Sequence, residues 1–238
     1  MSSKKTKPGF RSLPYLSGHI YNWVNKRLYN WDKKFASLAK MVEIAVGNKR
    51  NPTVLDLPCG TGYLARYLLP HVDYEGWDLN TAFLKKLRLD YRKGRFGPKK
   101  VSIRLQNIFN YDKYPEEKKD VIVFSGILHH IYPKHTELVK KAKNHANAIV
   151  ISEPYAVKPQ DITAYDPAAK LFIFMFKFLP ERLFKYVDFF LADNDGLNPF
   201  KNRSDWRVDA EGLRKMYKGF GIDKTYVFMD ECLGIWKE

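Results

Sequence analysis

Apolar residues recur at helical spacing over residues 20–46, where Tyr21, Val24, Leu28, Trp31, Phe35, Leu38, Met41 and Val42 mark one buried face. This rhythm predicts one or two amphipathic helices, the second starting near Trp31 or Asp32. Asn51-Pro52 breaks it. Beyond that point the pattern changes to short apolar runs at 53–57, 72–77, 101–105, 120–124 and 148–152, the signature of strands buried on both faces. The intervening stretches predict helices over 63–69, over 81–92 with Asn80 as cap, and over 134–144. Strands alternating with helices in this way predict an α/β fold with a doubly wound, mostly parallel sheet. A helix over 211–217 and strands over 224–229 and 234–237 follow. Asp230-Glu231-Cys232 joins the last two into an antiparallel C-terminal hairpin, which brings the sheet to seven strands.

Between the fifth strand and this hairpin lies a segment of a different kind. Residues 155–205 contain the aromatic run LFIFMFKFLPERLFKYVDFF, too long for a plain connection. It predicts an inserted helical lid in which Phe172, Phe176, Leu179, Leu183, Tyr186 and Phe190 pack as lid core or cover a pocket. With Lys170, Lys177, Arg182 and Lys185 beside them, the same residues also suit a membrane surface. Residues 1–17 are expected to form a flexible basic tail, and residues 18–238 one domain.

Composition narrows the class. With 45% apolar and 28% charged residues in 238, the chain is globular. No apolar leader is expected, and no apolar run comes near the ~20 residues of a membrane span. Cys59 and Cys232 are far apart, fit a reducing compartment and show no metal-ligand spacing, so no metal site is expected. The cytoplasm is the expected location. The formal charge of +15 is uneven, with eleven Lys and Arg against Asp32 and Glu43 in residues 1–50 and eight against Asp90 in residues 81–100. Such basicity fits nucleic acid or an anionic membrane surface, and equally a solvated face.

The chemistry centres on Asp56-Leu57-Pro58-Cys59-Gly60-Thr61-Gly62, a glycine-rich turn after the first strand, where an open α/β sheet binds a nucleotide-like ligand. Gly60, Gly62 and Ala65 satisfy G-x-G-x-x-[GA], and Asp78 follows at a ribose-binding distance, so a dinucleotide cofactor has to be weighed. Asp56 separates the two readings. A carboxylate there repels a pyrophosphate but attracts a cofactor carrying an ammonium and a sulfonium.

The segment 54–62 resembles motif I of class I S-adenosylmethionine-dependent methyltransferases, and Gly76-Trp77-Asp78-Leu79-Asn80 resembles their second motif. The resemblance implies S-adenosylmethionine as cofactor. It assigns the ribose hydroxyls to Asp78, with Leu79 beside it, and the adenine to Asn107 and Ile108, although Asn107 stands where such families often place Asp. Asp120-Val121-Ile122-Val123-Phe124-Ser125-Gly126-Ile127-Leu128-His129-His130-Ile131 is similar to the fourth-strand segment of small-molecule methyltransferases, which adds Ser125 and Gly126 to the cofactor site. It lacks the N/D-P-P-Y/F signature of enzymes that methylate amino groups on bases.

Methyl transfer needs a base only when the acceptor must lose a proton. His129, His130 and Glu153 are the candidates; Asp193 and Asp195 could reach in from the lid. The expected acceptor is small and apolar or ring-containing, such as a quinone, lipid or metabolite. The alternative is an RNA or protein substrate held by the basic segments, which would make binding steeply salt-dependent. A degenerate, non-catalytic binding partner is a further reading.

Overall fold

A computed structural model describes residues 9–155, 166–176, 178, 180, 183, 186–187, 189–190, 193–198, 206 and 208–238. Its centre is a seven-stranded sheet: β1 (Thr53–Asp56), β2 (Asp73–Asp78), β3 (Lys100–Leu105), β4 (Lys119–Ser125), β5 (Ala146–Pro154), β6 (Lys224–Phe228) and β7 (Glu231–Lys237), in the order β3-β2-β1-β4-β5-β7-β6. β1 to β5 pair in parallel, and β7 joins antiparallel to β5 and β6. The doubly wound sheet with an antiparallel C-terminal hairpin is therefore present as expected. The order reverses direction between β1 and β4, and the loops after their carboxyl ends form the crevice where such sheets bind ligands.

The helices whose bounds lie within the described residues are α1 (Leu13–Leu16), α2 (Gly18–Leu28), α3 (Trp31–Val46), α4 (Thr81–Arg92), α5 (His135–Ala142), α6 (Pro167–Phe176) and α7 (Ala210–Gly219). The two ends of α4 fall where the sequence places them. Asn80 caps it, its side chain accepting from the Ala82 and Phe83 N–H groups. Two cores sandwich the sheet. One packs Leu55, Ile122, Phe124, Ile149 and Ile151 against α5 and α7; the other packs Val54, Val121, Val123 and Val150 against α3 and α4. Alternate residues of the same strands serve opposite faces, which is why β1, β4 and β5 read as continuous apolar runs.

Three expectations need correction. Residues 63–69 hold only a 3-10 turn at Leu64–Arg66, not an α-helix. Pro70 bars Leu69 from helical backbone, and Tyr63 and Tyr67 instead donate hydrogen bonds to Asp32 on α3, each at 2.5 Å. The hairpin turns at Met229-Asp230, because Phe228 already pairs with Glu231, and Met229 takes a positive φ of 56°. Residues 9–17, expected in a flexible tail, form a packed strap: α1 buries Tyr15, and Gly9 and Ser12 N–H groups donate to the Gly196 and Asn194 carbonyls. Residues 1–8 of that tail lie outside the described residues. So do most of the proposed lid, including Lys177, Leu179, Arg182 and Lys185, and nothing is described of the Phe172 and Phe176 side chains. Within the described part, Leu171, Phe174, Phe178, Leu183, Tyr186 and Phe190 are exposed. No helix among the described residues is long and apolar enough to cross a membrane.

Several cations of the basic segment 81–100 are paired. Lys86, Arg66 and Arg95 converge on the fully buried Asp90, and Lys100 pairs with Asp73. Burial alone would raise the Asp90 carboxyl, but the hydrogen bonds and charges of Lys86 and Arg66 outweigh it and hold the pKa below its ordinary value. Asp90→Ala strands the buried Lys86 ammonium and should cost about 3–5 kcal/mol. Because the folded pKa is depressed, wild type should hold this advantage above the unfolded value near ~3.9 and lose it as pH falls further. Urea unfolding of both chains at pH 7 and pH 3 checks it.

Candidate active site

The loop after β1 runs from Leu57 to Gly62 beneath the carboxyl end of β2. Leu57 N–H donates to the Val123 carbonyl at 2.9 Å and Cys59 N–H to the Trp77 carbonyl at 2.8 Å, so both flanking strands fix it. Gly60 has φ +53°, and a Cβ there would meet nothing within 4 Å. Gly126, just past β4, has φ +59° and the same open side. Backbone in the left-handed region with free space before it is what a closely approaching ligand requires.

Asp78 closes the end of β2. Its Oδ2 accepts from Gly60 N–H at 2.8 Å and its Oδ1 from Asn80 N–H at 2.6 Å. Burial pushes its pKa up to about 6 in spite of those hydrogen bonds. Asp56 lies deeper and accepts from the Tyr74 hydroxyl at 2.7 Å. Burial raises it to about 7, the Tyr74 bond opposing and the Asp78 charge adding. Near neutrality Asp56 is thus only partly ionised, and its repulsion of a pyrophosphate is weaker than a fully charged acid would exert. Two buried acids and two open glycines at one strand-end crevice fit a cationic, diol-bearing cofactor: they offer acceptors for hydroxyls and gain charge balance from a cation.

The remaining sequence candidates fall around this centre unevenly. Pro58 is half-buried, Leu79 is exposed and Ser125 half-buried, all at the carboxyl edge. Leu57 and Ile108 are buried in the core with Trp77 and Tyr114. Cys59 is buried against Gly76. Thr61 and Gly62 serve the loop itself: Thr61 donates to Asn22 Oδ1 on α2 at 2.7 Å, and Gly62 N–H donates to the Cys59 carbonyl. Asn107 spends its side-chain carbonyl on Phe109 N–H at 2.9 Å, which leaves its second lone pair.

A second constellation stands beside the first. Glu153, fully buried at the end of β5, accepts from the Ile127 and Leu128 N–H groups at 2.6 and 2.7 Å, and its Oε2 lies 2.8 Å from His129 Nδ1. Nε2 of His129 lies 3.5 Å from Asp193 Oδ2, and Nε2 of His130 3.3 Å from Asp193 Oδ1. Nδ1 of His130 is 3.2 Å from Asp195 Oδ2, near enough to pair although not aligned as a hydrogen bond. Burial and His130 oppose the charged form of His129, yet Asp193 and Glu153 outweigh them and raise its pKa above 6.5. For His130 burial is likewise overcome, by Asp193 and Asp195, to about 10.

Sequence reading missed what joins the two groups. The Tyr15 carbonyl accepts from Asn80 Nδ2 at 2.8 Å, while its hydroxyl donates to Asp193 at 2.9 Å and lies 3.4 Å from His130 Nε2. Asn22, Tyr74 and Asn194 are further supports that no local pattern marked. Of these only Tyr15 carried a hint, the Pro14 beside it, which favours a short N-terminal turn.

The comparisons with known proteins agree with this geometry. Residues 54–148 match the family model described as a methyltransferase domain. No curated relative matches the chain in sequence. Among solved structures, magnesium protoporphyrin IX methyltransferase from Synechocystis PCC 6803, with SAH bound, superposes at a TM-score of 0.53, 12% identity, 89% of this chain and 85% of that one. The CurJ carbon methyltransferase superposes at 0.56 with 14% identity, over 85% of this chain and 53% of that one. An S-adenosylmethionine-dependent methyltransferase from Clostridium acetobutylicum ATCC 824 gives 0.46 and 21% identity over 58% of this chain. The chain spans little more than half the length of those last two, 53% and 56%. In its strand order and its strand-end acids the chain resembles the class I S-adenosylmethionine-dependent methyltransferases, and the methyltransferase-domain match spans residues 54–148.

Proposed function

We propose that the chain transfers the methyl group of S-adenosylmethionine to a small, ring-containing or apolar acceptor, with His129 as the proton acceptor. The cofactor supplies an electrophilic methyl group on a sulfonium. Asp78 holds the ribose hydroxyls, Gly60 and Gly126 let the backbone come close, and Asp56 balances positive charge from below. Asn107 and Ile108 serve the adenine, and Ser125 with Gly126 completes the cofactor site.

The observation that carries the acceptor class is the aromatic cluster beside the site. Tyr15, Tyr21 and Phe83 pack as tilted rings, Tyr15 reaches Asp193 and His130, and the Trp206 and His129 ring centroids lie 6.3 Å apart. Aromatic side chains at the edge of a site suit a small planar molecule better than a polymer. The internal pairing of Lys86, Arg95 and Lys100 also weakens the electrostatic case for RNA. Glu153 fixes the His129 ring through Nδ1 and leaves Nε2, 3.5 Å from Asp193 Oδ2, to take the proton when an acceptor hydroxyl ionises.

Incubation of the purified chain with methyl-labelled S-adenosylmethionine and separate quinone, phenol, lipid, RNA and protein fractions tests this. Label should enter an organic-soluble product. Label confined to RNA or protein would reverse the assignment of the acceptor.

A further inference from the structure

We infer that His129, His130 and Asp193 form a binding site for a divalent transition-metal cation of the zinc type. No sequence spacing announces it, because Asp193 comes from a loop far along the chain. In space the three donors lie within 4.8 Å of one another. Both imidazoles aim Nε2 at the same carboxyl group, at 3.5 and 3.3 Å. Donors bound at about 2.0–2.1 Å around a tetrahedral cation stand roughly 3.3–3.4 Å apart, and the two histidine separations, each to a different Asp193 oxygen, are close to that spacing.

The surroundings of the rings carry the inference further than the three donors alone. Each imidazole has a carboxyl group behind its other nitrogen, Glu153 at 2.8 Å from His129 Nδ1 and Asp195 at 3.2 Å from His130 Nδ1. For His129 this carboxylate fixes the tautomer that leaves Nε2 free to ligate and strengthens it as a donor, while Asp195 places negative charge beside His130. The loop is held in place by the N-terminal strap: Tyr15 donates to Asp193, Arg11 Nε to the Asp195 carbonyl at 3.2 Å, and Asn194 Nδ2 to the Phe10 carbonyl at 3.0 Å. Three acids against two imidazoles leave room for positive charge. The Asp193 side chain remains 45% exposed, which gives an ion a way in.

Two imidazoles and one carboxylate select zinc, iron or nickel over magnesium, which prefers all-oxygen shells. A cation on Nε2 of His129 uses the lone pair that would accept a proton, so the loaded and proton-accepting forms exclude each other. Binding is measured without methyl transfer, so this inference and the function proposed above fail separately.

The test is titration of chelator-treated, tag-free protein with ZnCl2 by calorimetry, with MgCl2 in parallel and the visible spectrum of the Co2+ form. One equivalent of Zn2+ should bind in the micromolar range or tighter, Mg2+ should not compete, and Co2+ should give the intense bands of a four- or five-coordinate site. His130→Gln and Asp193→Asn should each weaken Zn2+ binding at least tenfold, while His71→Gln, at an exposed and distant histidine, should leave it unchanged. Absence of saturable Zn2+ binding to folded wild type, equal affinity for Mg2+, or unchanged affinity in both site variants would overturn it. If a variant fails to fold, the wild-type Co2+ spectrum decides, since weak bands of a six-coordinate aquo type contradict the site.

Discussion

Asp78→Asn should weaken S-adenosylmethionine binding about 100-fold while the chain stays folded. Hydrogen bonds from hydroxyls to a charged carboxylate contribute about 1.5–3 kcal/mol each, and every ~1.4 kcal/mol is a factor of ten in affinity. Asparagine keeps a side-chain oxygen for one of the Gly60 and Asn80 N–H groups, so much of the loop should survive. Its pH behaviour separates a ligand-binding role from a structural one. The free Asp78 carboxyl ionises near pH 6 and Asp56 near 7. A ligand that prefers the ionised acids should therefore bind more weakly as pH falls through 7 and 6. In Asp78→Asn the lower limb should vanish and the Asp56 limb remain. Calorimetry between pH 5 and 8 reads both; an unchanged affinity and pH profile would remove Asp78 from the site.

His129→Gln should lower kcat by roughly 10²–10⁴-fold with little change in cofactor affinity, the loss expected for a general base. The wild-type rate should rise with pH along a limb placed above 6.5, because the folded His129 pKa is raised. Glu153→Gln tests the cause of that placement. It keeps a side-chain oxygen for the Ile127 and Leu128 N–H groups but removes charge from His129, so the limb should move to lower pH as kcat drops. A purely structural Glu153 would lower stability without moving the limb. Steady-state rates on an identified acceptor, with melting curves alongside, distinguish these outcomes.

Local chemistry made much of the sheet readable. β4 is an unbroken apolar run because α3 covers one face and α5 the other, and Asn80 caps α4 by a rule that needs only its own neighbours. Where local rules failed, contacts from elsewhere had prevailed. The Leu64–Arg66 turn is held by Asp32, more than thirty residues away. The hairpin places Met229 at positive φ, where turn chemistry looks for Gly, Asn or Asp.

The candidate site divides in the same way. Its cofactor half sits on contiguous motifs around Gly60, Asp78 and Gly126, each within a few residues of a strand end. Its second half depends on Tyr15, Glu153 and Asp193, which meet His129 and His130 from three distant parts of the chain. In sequence Asp193 and Asp195 are only acids that could reach in from the lid, because nothing near them shows which rings they face.

Parallel calorimetric titrations of the wild-type chain at pH 7.5 with S-adenosylhomocysteine and with NADH most directly test whether the Asp56–Gly62 loop and Asp78 hold an S-adenosyl cofactor rather than a dinucleotide. One saturable site for S-adenosylhomocysteine and none for NADH is the predicted result. Saturable NADH binding with no heat from S-adenosylhomocysteine at millimolar concentration would contradict it.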